Sequence, residues 1–251
     1  MKTKQYGIFA VLTMVVLLVS VTATALTVIP ANDRAKEVSQ GPAHSPVIND
    51  DWTLTRVDFI HYAQSAAPAS KPIKTETCYK LLGGKWKTLP VNYIINPGNP
   101  QNLSPTFVTS AISTAAETWD AATGSELFNN AYSVDYNIKY GIQDYKNAIQ
   151  FGDYSDGNAI AVTSVWFNRK GIVEFDILFN TKYTWGNATV NPIAMDLQNI
   201  ATHELGHGIG LNDIYTASCS AVTMYGYSSY GDIAKRTLEQ PDITGLKSMY
   251  G

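Results

Sequence analysis

Through IVEFDILFN (172–180) apolar and polar positions alternate: Val173, Phe175, Ile177 and Phe179 share one face, Glu174, Asp176 and Leu178 the other. A period of two predicts a strand. VNYIIN (91–96), SVDYNIKYG (133–141), AIQFG (148–152) and AIAVTSVWFN (159–168) read as further strands. The period changes between the first two of these. Ser104 and Pro105 form an N-cap and first-turn pair, and Val108, Ala111, Ile112, Ala115 and Trp119 follow at helical spacing, with Gly124 just past the end. A second helix is expected from about Ala194, then an irregular segment past Met224, then a last helix from Pro241. Strands first, with helices packed on one side of a mixed sheet, make the fold class α+β.

Upstream of residue 84 the pattern differs. Lys2 and Lys4 precede GIFAVLTMVVLLVSVTATA, which ends in Ala23-Thr24-Ala25. A charged start, an apolar run and a small-x-small end predict a signal peptide over 1–25, with an uncleaved membrane anchor as the alternative. Either way the remainder is expected outside the cytoplasm, secreted if the leader is cleaved. Residues 26–83 are rich in Ala, Ser, Pro and charge without a sustained period. They read as a pro-segment or linker, broken by one apolar patch, WTLTRVDFIHYA (52–63), that could form a strand or dock on the domain that follows. Residues 84–251 form that domain.

Composition narrows the function. Charged residues are 16% of the chain and the net charge is −3, which leaves no basic surface for nucleic acid. Fifteen tyrosines against eight phenylalanines suit a hydrogen-bonding surface. Only two cysteines are present, Cys78 and Cys219, and in an oxidising compartment an even count favours a disulfide between them.

The chemistry is concentrated in ATHELGHGIGLND (201–213), which holds two of the chain's four histidines. Helix positions i and i+4 lie on one face about 6 Å apart along the axis, so His203 and His207 can point at one metal ion. Glu204 is offset from the pair and can reach a water beside that metal. A catalytic zinc takes three protein ligands. A continuing helix would carry Asp213 about 9 Å along the axis from His207, so the chain has to turn at Gly208 and Gly210 for Asp213 to serve as the third ligand. The remaining histidines, His44 and His61, lie far upstream in a polar, irregular region.

His203, Glu204, His207, Gly210 and Asp213 resemble the extended motif of the metzincin metallopeptidases, H-E-x-x-H-x-x-G-x-x-H or D, most of which end in histidine. Met224, in CSAVTMYGY, stands where those proteins carry a methionine turn. KWKTLPVNYIINP (85–97), IVEFDILFNTKYTW (172–185) and LEQPDITGLKSMYG (238–251) are similar to the matrixin branch and its small prokaryotic relatives.

The resemblance implies a zinc metalloendopeptidase, monomeric, acting on protein or peptide. It would have a twisted five-stranded mixed sheet with a long helix, an active-site helix and a C-terminal helix. Zn2+ would be held by His203, His207 and Asp213, with Glu204 as general base and Met224 as an apolar floor. Matrixins bind substrate as an extra strand on a sheet edge, and AIAVTSVWFN is the matching edge, with a specificity pocket expected near Tyr225 and Tyr227. Matrixin latency rests on a P-R-C-G cysteine that binds the zinc; Cys78 lacks that motif, and a thiolate on zinc is the rival to its pairing with Cys219. Ca2+ is a further candidate ligand, at Asp153, Asp156 and Asn158 in GDYSDGN, where Asp-Gly also suits a hairpin turn. Two other readings share the metal: a zinc-binding module without catalysis, and an amidase acting on cell wall.

Overall fold

The alternating segment at 172–180 becomes the central strand of a mixed sheet in the computed structural model, which describes residues 53–64 and 77–251. The leader 1–25, His44 and most of the 26–83 segment lie outside the described residues. Among these residues the main sheet has seven strands: β1 (Thr55–Ala63), β2 (Ile94–Ile95), β3 (Ser133–Val134), β4 (Ala148–Gly152), β5 (Ala159–Asn168), β6 (Gly171–Asn180) and β9 (Tyr227–Ser228). Their order is β3-β2-β4-β6-β5-β1-β9. Five of them, β3 to β5 in that order, are the sheet expected from residues 84–251, mixed because β5 runs antiparallel to β6. The other two lie beyond β5: β1 pairs antiparallel with β5 and parallel with β9. A two-stranded pairing joins β7 (Trp185–Gly186) to β8 (Met195–Asp196).

Three α-helices are described: α1 (Pro105–Asp120), α2 (Leu197–Gly208) and α3 (Gln240–Tyr250). Ser104 caps α1 by accepting from Phe107 N at 3.2 Å, and Val108, Ala111, Ile112, Ala115 and Trp119 are buried as their spacing predicts. Those side chains meet Phe175, Ile177 and Phe179 of β6 and Leu197, Ile200 and Leu205 of α2 in one core. Each large apolar side chain removed from water contributes roughly 1.5–3 kcal/mol.

The opposite face of β6 is not solvated, although it carries Glu174 and Asp176. Both are buried under the 141–148 loop. Glu174 accepts from the backbone N–H groups of Asp144 and Tyr145, and Asp176 from those of Gly141 and Ala148 at 2.7 and 2.9 Å. The expected strand at 133–141 therefore pairs only over Ser133–Val134, since the chain beyond turns to serve these carboxylates. No helix among the described residues is long and apolar enough to cross a membrane.

Candidate active site

Helix α2 starts where Asp196 caps it, accepting from Asn199 N at 2.9 Å and from the Arg236 guanidinium at 2.8 Å. Trp119 of α1 donates its indole N–H to the Thr202 carbonyl at 2.8 Å, fixing the turn that carries the motif. His203 and His207 then share one face, and both are fully buried. Each donates its Nδ1–H to a backbone carbonyl, His203 to Thr223 at 2.7 Å and His207 to Leu211 at 3.0 Å. The Nε2 atoms are thereby left facing inward.

The helix ends at Gly208, and Gly210 takes a φ of +104°, where a Cβ would stand 2.5 Å from the Gly84 carbonyl oxygen. Glycine alone suits both the angle and the approach. The chain reverses and Asn212 N donates to the Lys80 carbonyl at 2.8 Å. Asp213 Oδ1 thus comes to 3.2 Å from His203 Nε2 and 3.5 Å from His207 Nε2, while the two Nε2 atoms are 3.1 Å apart.

This triangle fits a metal. Tetrahedral zinc ligands at about 2.0–2.1 Å stand about 3.3 Å from one another. With both Nδ1 hydrogens committed, two nitrogen lone pairs and a carboxylate oxygen converge, and Asp213 Oδ1 has no hydrogen-bond partner although buried. Three buried acceptors facing one another are a donor set that a metal cation would satisfy. Despite burial, the two imidazoles hold the Asp213 carboxyl far below the usual carboxylate range. Burial pushes His203 down to about 4.

Glu204 is also fully buried, beside the triangle. Thr163 of β5 donates its hydroxyl to Oε2 at 2.6 Å, and Oε1 shares a hydrogen bond with His61 Nδ1 at 3.2 Å. Burial pushes the Glu204 carboxyl up to about 7, against the lowering effects of His207 and Thr163.

Met224 lies against α2 where Gly206 leaves room; a Cβ at Gly206 would stand 2.4 Å from the Met224 sulfur. Asp242 of α3 holds the turn by accepting from Thr223 N at 2.9 Å and Met224 N at 3.2 Å. Lys235 donates to the Thr223 carbonyl at 3.3 Å and also to the Tyr225 carbonyl. Tyr225 and Tyr227, where a specificity pocket was expected, are buried with Ile214, Cys219 and Val222. Cys78 and Cys219 form a disulfide, so neither offers a thiolate to the metal site. Closing a loop between residues 141 apart in sequence contributes up to about 5 kcal/mol by chain entropy. Of the calcium candidates, Asp156 Oδ1 accepts from Asn158 N at 2.9 Å within the turn, and Asp153 accepts from the hydroxyl of Thr181, just past β6.

His61 is the main departure from the sequence reading. It lies in strand β1, the strand that the 52–63 patch allowed, and not in an irregular region, and is fully buried against Glu204 and His203. The signal was present in RVDFIHYA, where Val57, Phe59 and His61 alternate and place the histidine on an apolar face. Thr163 and Asp242 were not legible as site residues, because each acts across a long-range contact. Tyr215, which donates to Asp213 Oδ2 from two residues on, was near enough to find but carries no period or motif that marks it.

Comparison with known proteins agrees with this geometry. Residues 85–251 match the matrixin family. The chain is 30% identical to the hatching enzyme of Paracentrotus lividus over 152 residues, covering 60% of this chain and 24% of that one. It is 30% identical to neutrophil collagenase of Homo sapiens over 170 residues, covering 66% and 33%, and 26% identical to matrix metalloproteinase-25 of Mus musculus over 177 residues, covering 69% and 28%. The chain thus spans a quarter to a third of the length of these curated relatives. With the family matched over most of its length and the motif folded as described, the chain belongs to the matrixins.

Proposed function

We propose that the protein is a secreted zinc endopeptidase in which His203, His207 and Asp213 hold the metal and Glu204 is the general base. The observation that carries this reading is the convergence of His203 Nε2, His207 Nε2 and Asp213 Oδ1 within 3.5 Å of one another, with a buried carboxylate beside them. Zinc held there would supply Lewis acidity toward the scissile carbonyl and lower the pKa of the attacking water. Glu204 takes the proton from that water and returns it to the leaving amine, a role favoured by its raised pKa of about 7. Thr163 holds the second carboxylate oxygen, so the first is the one presented to the reaction.

Met224 supports the metal residues from below and carries no charge or proton. Strand β5 is paired on its outer side with β1, so it is not the edge that the sequence predicted. Freed of β1 it would offer a backbone wall suited to an extended peptide, with affinity from main-chain hydrogen bonds and many sequences acceptable. Secretion is supported by the sequence of residues 1–25 and by a disulfide, which persists in oxidising compartments.

The test is to incubate the form that accumulates in culture medium with casein, with and without a zinc chelator. Chelator-sensitive cleavage, restored by added zinc, is expected. Stoichiometric zinc without hydrolysis of casein or any unfolded protein would overturn the reading in favour of a binding module.

A further inference from the structure

Strand β1 occupies a slot that the catalytic domain leaves open. Without it, β5 would be an edge of the sheet and Tyr227–Ser228 would have no strand beside it, since β9 pairs with β1. The two walls thus stand two strand spacings apart, about 10 Å, the width one extended peptide fills. Residues 55–63 fill it from both sides: they run antiparallel along β5 from Thr55↔Phe167 to Tyr62↔Ala159, and Tyr62 N donates to the Gly226 carbonyl at 3.1 Å.

The inward face of this strand is fitted to the metal residues. Phe59 stacks on the His207 ring, centroids 4.1 Å apart and planes within 6°. His61 packs on the His203 ring at 3.9 Å and hydrogen-bonds Glu204 Oε1 at 3.2 Å. Its Nε2 is buried and unpartnered, and His61, His203 and Glu204 each have a possible ligand atom within 4.8 Å of the others. The pairing shifts register between His61 and Tyr62, an irregularity that re-aims a side chain. An imidazole, in place of a scissile carbonyl, therefore faces the base. At the far end Arg56 ties the strand to β5, donating to Ser164 at 3.0 Å and lying over the Trp166 ring, while the Ser164 hydroxyl donates to Asp58 at 2.7 Å.

We propose that Thr55–Ala63 is a built-in inhibitor strand that fills the substrate cleft, with His61 silencing the centre by occupying the carboxylate oxygen of Glu204 that would accept the proton. The disulfide between Cys78 and Cys219 leaves this histidine, in place of a thiolate, as the latency residue. The inference rests on the peptidase reading of the same site. Activity then requires the strand to vacate the slot.

The test uses the full chain, loaded with cobalt(II), in unmodified, His61→Ala and Arg56→Ala forms. Visible absorption is recorded beside turnover of a quenched fluorescent peptide. His61→Ala should raise turnover at least about tenfold by raising the open fraction, and should shift the cobalt bands. Arg56→Ala, remote from the metal and exposed, should raise turnover by a smaller factor. Adding the peptide TRVDFIHYA to the His61→Ala chain should reverse both effects, and the same peptide with alanine in place of its histidine should do so less well.

If His61→Ala does not fold, Arg56→Ala decides the matter alone. Cobalt spectra and turnover unchanged in every folded variant would overturn the inference. A spectral shift reversed by the peptide, with no hydrolysis by any form, would keep the strand in the cleft and remove the peptidase reading. Hydrolysis by the unmodified chain that neither variant raises would keep the peptidase and remove the inhibitor strand.

Discussion

The Tyr215 hydroxyl donates to Asp213 Oδ2 at 2.9 Å, which leaves Oδ1 as the oxygen turned toward the two imidazoles. Asp213 is short and stands after a chain reversal, so its orientation depends on this partner. Tyr215→Phe should keep the fold and weaken zinc binding by about tenfold, the usual effect of removing a partner that orients a ligand. Competition with a chromophoric chelator measures it. An unchanged zinc affinity would show that the carboxylate is held by its backbone alone.

Glu204→Gln separates base from ligand. The amide keeps the size and the Thr163 contact but cannot take a proton, so turnover should fall by at least about a hundredfold while zinc stays bound stoichiometrically. Metal analysis and peptide turnover are read on the same sample. Loss of the metal together with activity would place Glu204 among the ligands.

Gly206 is where α2 and the methionine turn touch. A Cβ there would meet the Met224 sulfur at 2.4 Å and a Trp119 ring carbon at 2.7 Å. Gly206→Ala should therefore destabilise the domain by about 1–3 kcal/mol despite alanine's better helix propensity, because overpacking outweighs it. Thermal unfolding of the metal-loaded protein checks this, and a Tm at or above that of the unmodified chain would show that Met224 yields freely.

Asp120 supplies a pH prediction away from the metal. Its Oδ1 accepts from both Leu127 N and Phe128 N, at 2.7 and 3.2 Å, while Oδ2 is buried without a partner. Burial pushes this carboxyl up to about 6, against those two bonds. The unfolded chain releases the proton near 3.8, so between 3.8 and about 6 the folded state holds more protons and stability falls as pH rises. An asparagine at this position would keep both accepted bonds and carry no charge. The stability advantage of Asp120→Asn, read from thermal unfolding, should therefore grow from pH 4.5 to pH 7, reaching about 1 kcal/mol for a group partly screened by solvent. A difference that is flat or shrinks over that range would sink it.

What the sequence determined by itself is what depends on near neighbours. The i, i+4 spacing of His203 and His207, the glycine at Gly210 and the alternation along β5 and β6 are set by backbone geometry within a few residues. The same logic carried the cap at Ser104 and the buried stripe of α1. VNYIIN and SVDYNIKYG were read as full strands and pair only over Ile94–Ile95 and Ser133–Val134, because strand length is decided by what lies alongside.

The tertiary structure alone decided which groups meet across the chain. His61 reaches Glu204 over 143 positions, and Asp242 reaches the methionine turn from the last helix. Glu174 and Asp176 are buried because a distant loop offers them amides. Such contacts leave no period in the sequence: a hydrogen bond between remote side chains needs only two residues of suitable chemistry, and the path of the chain selects which two.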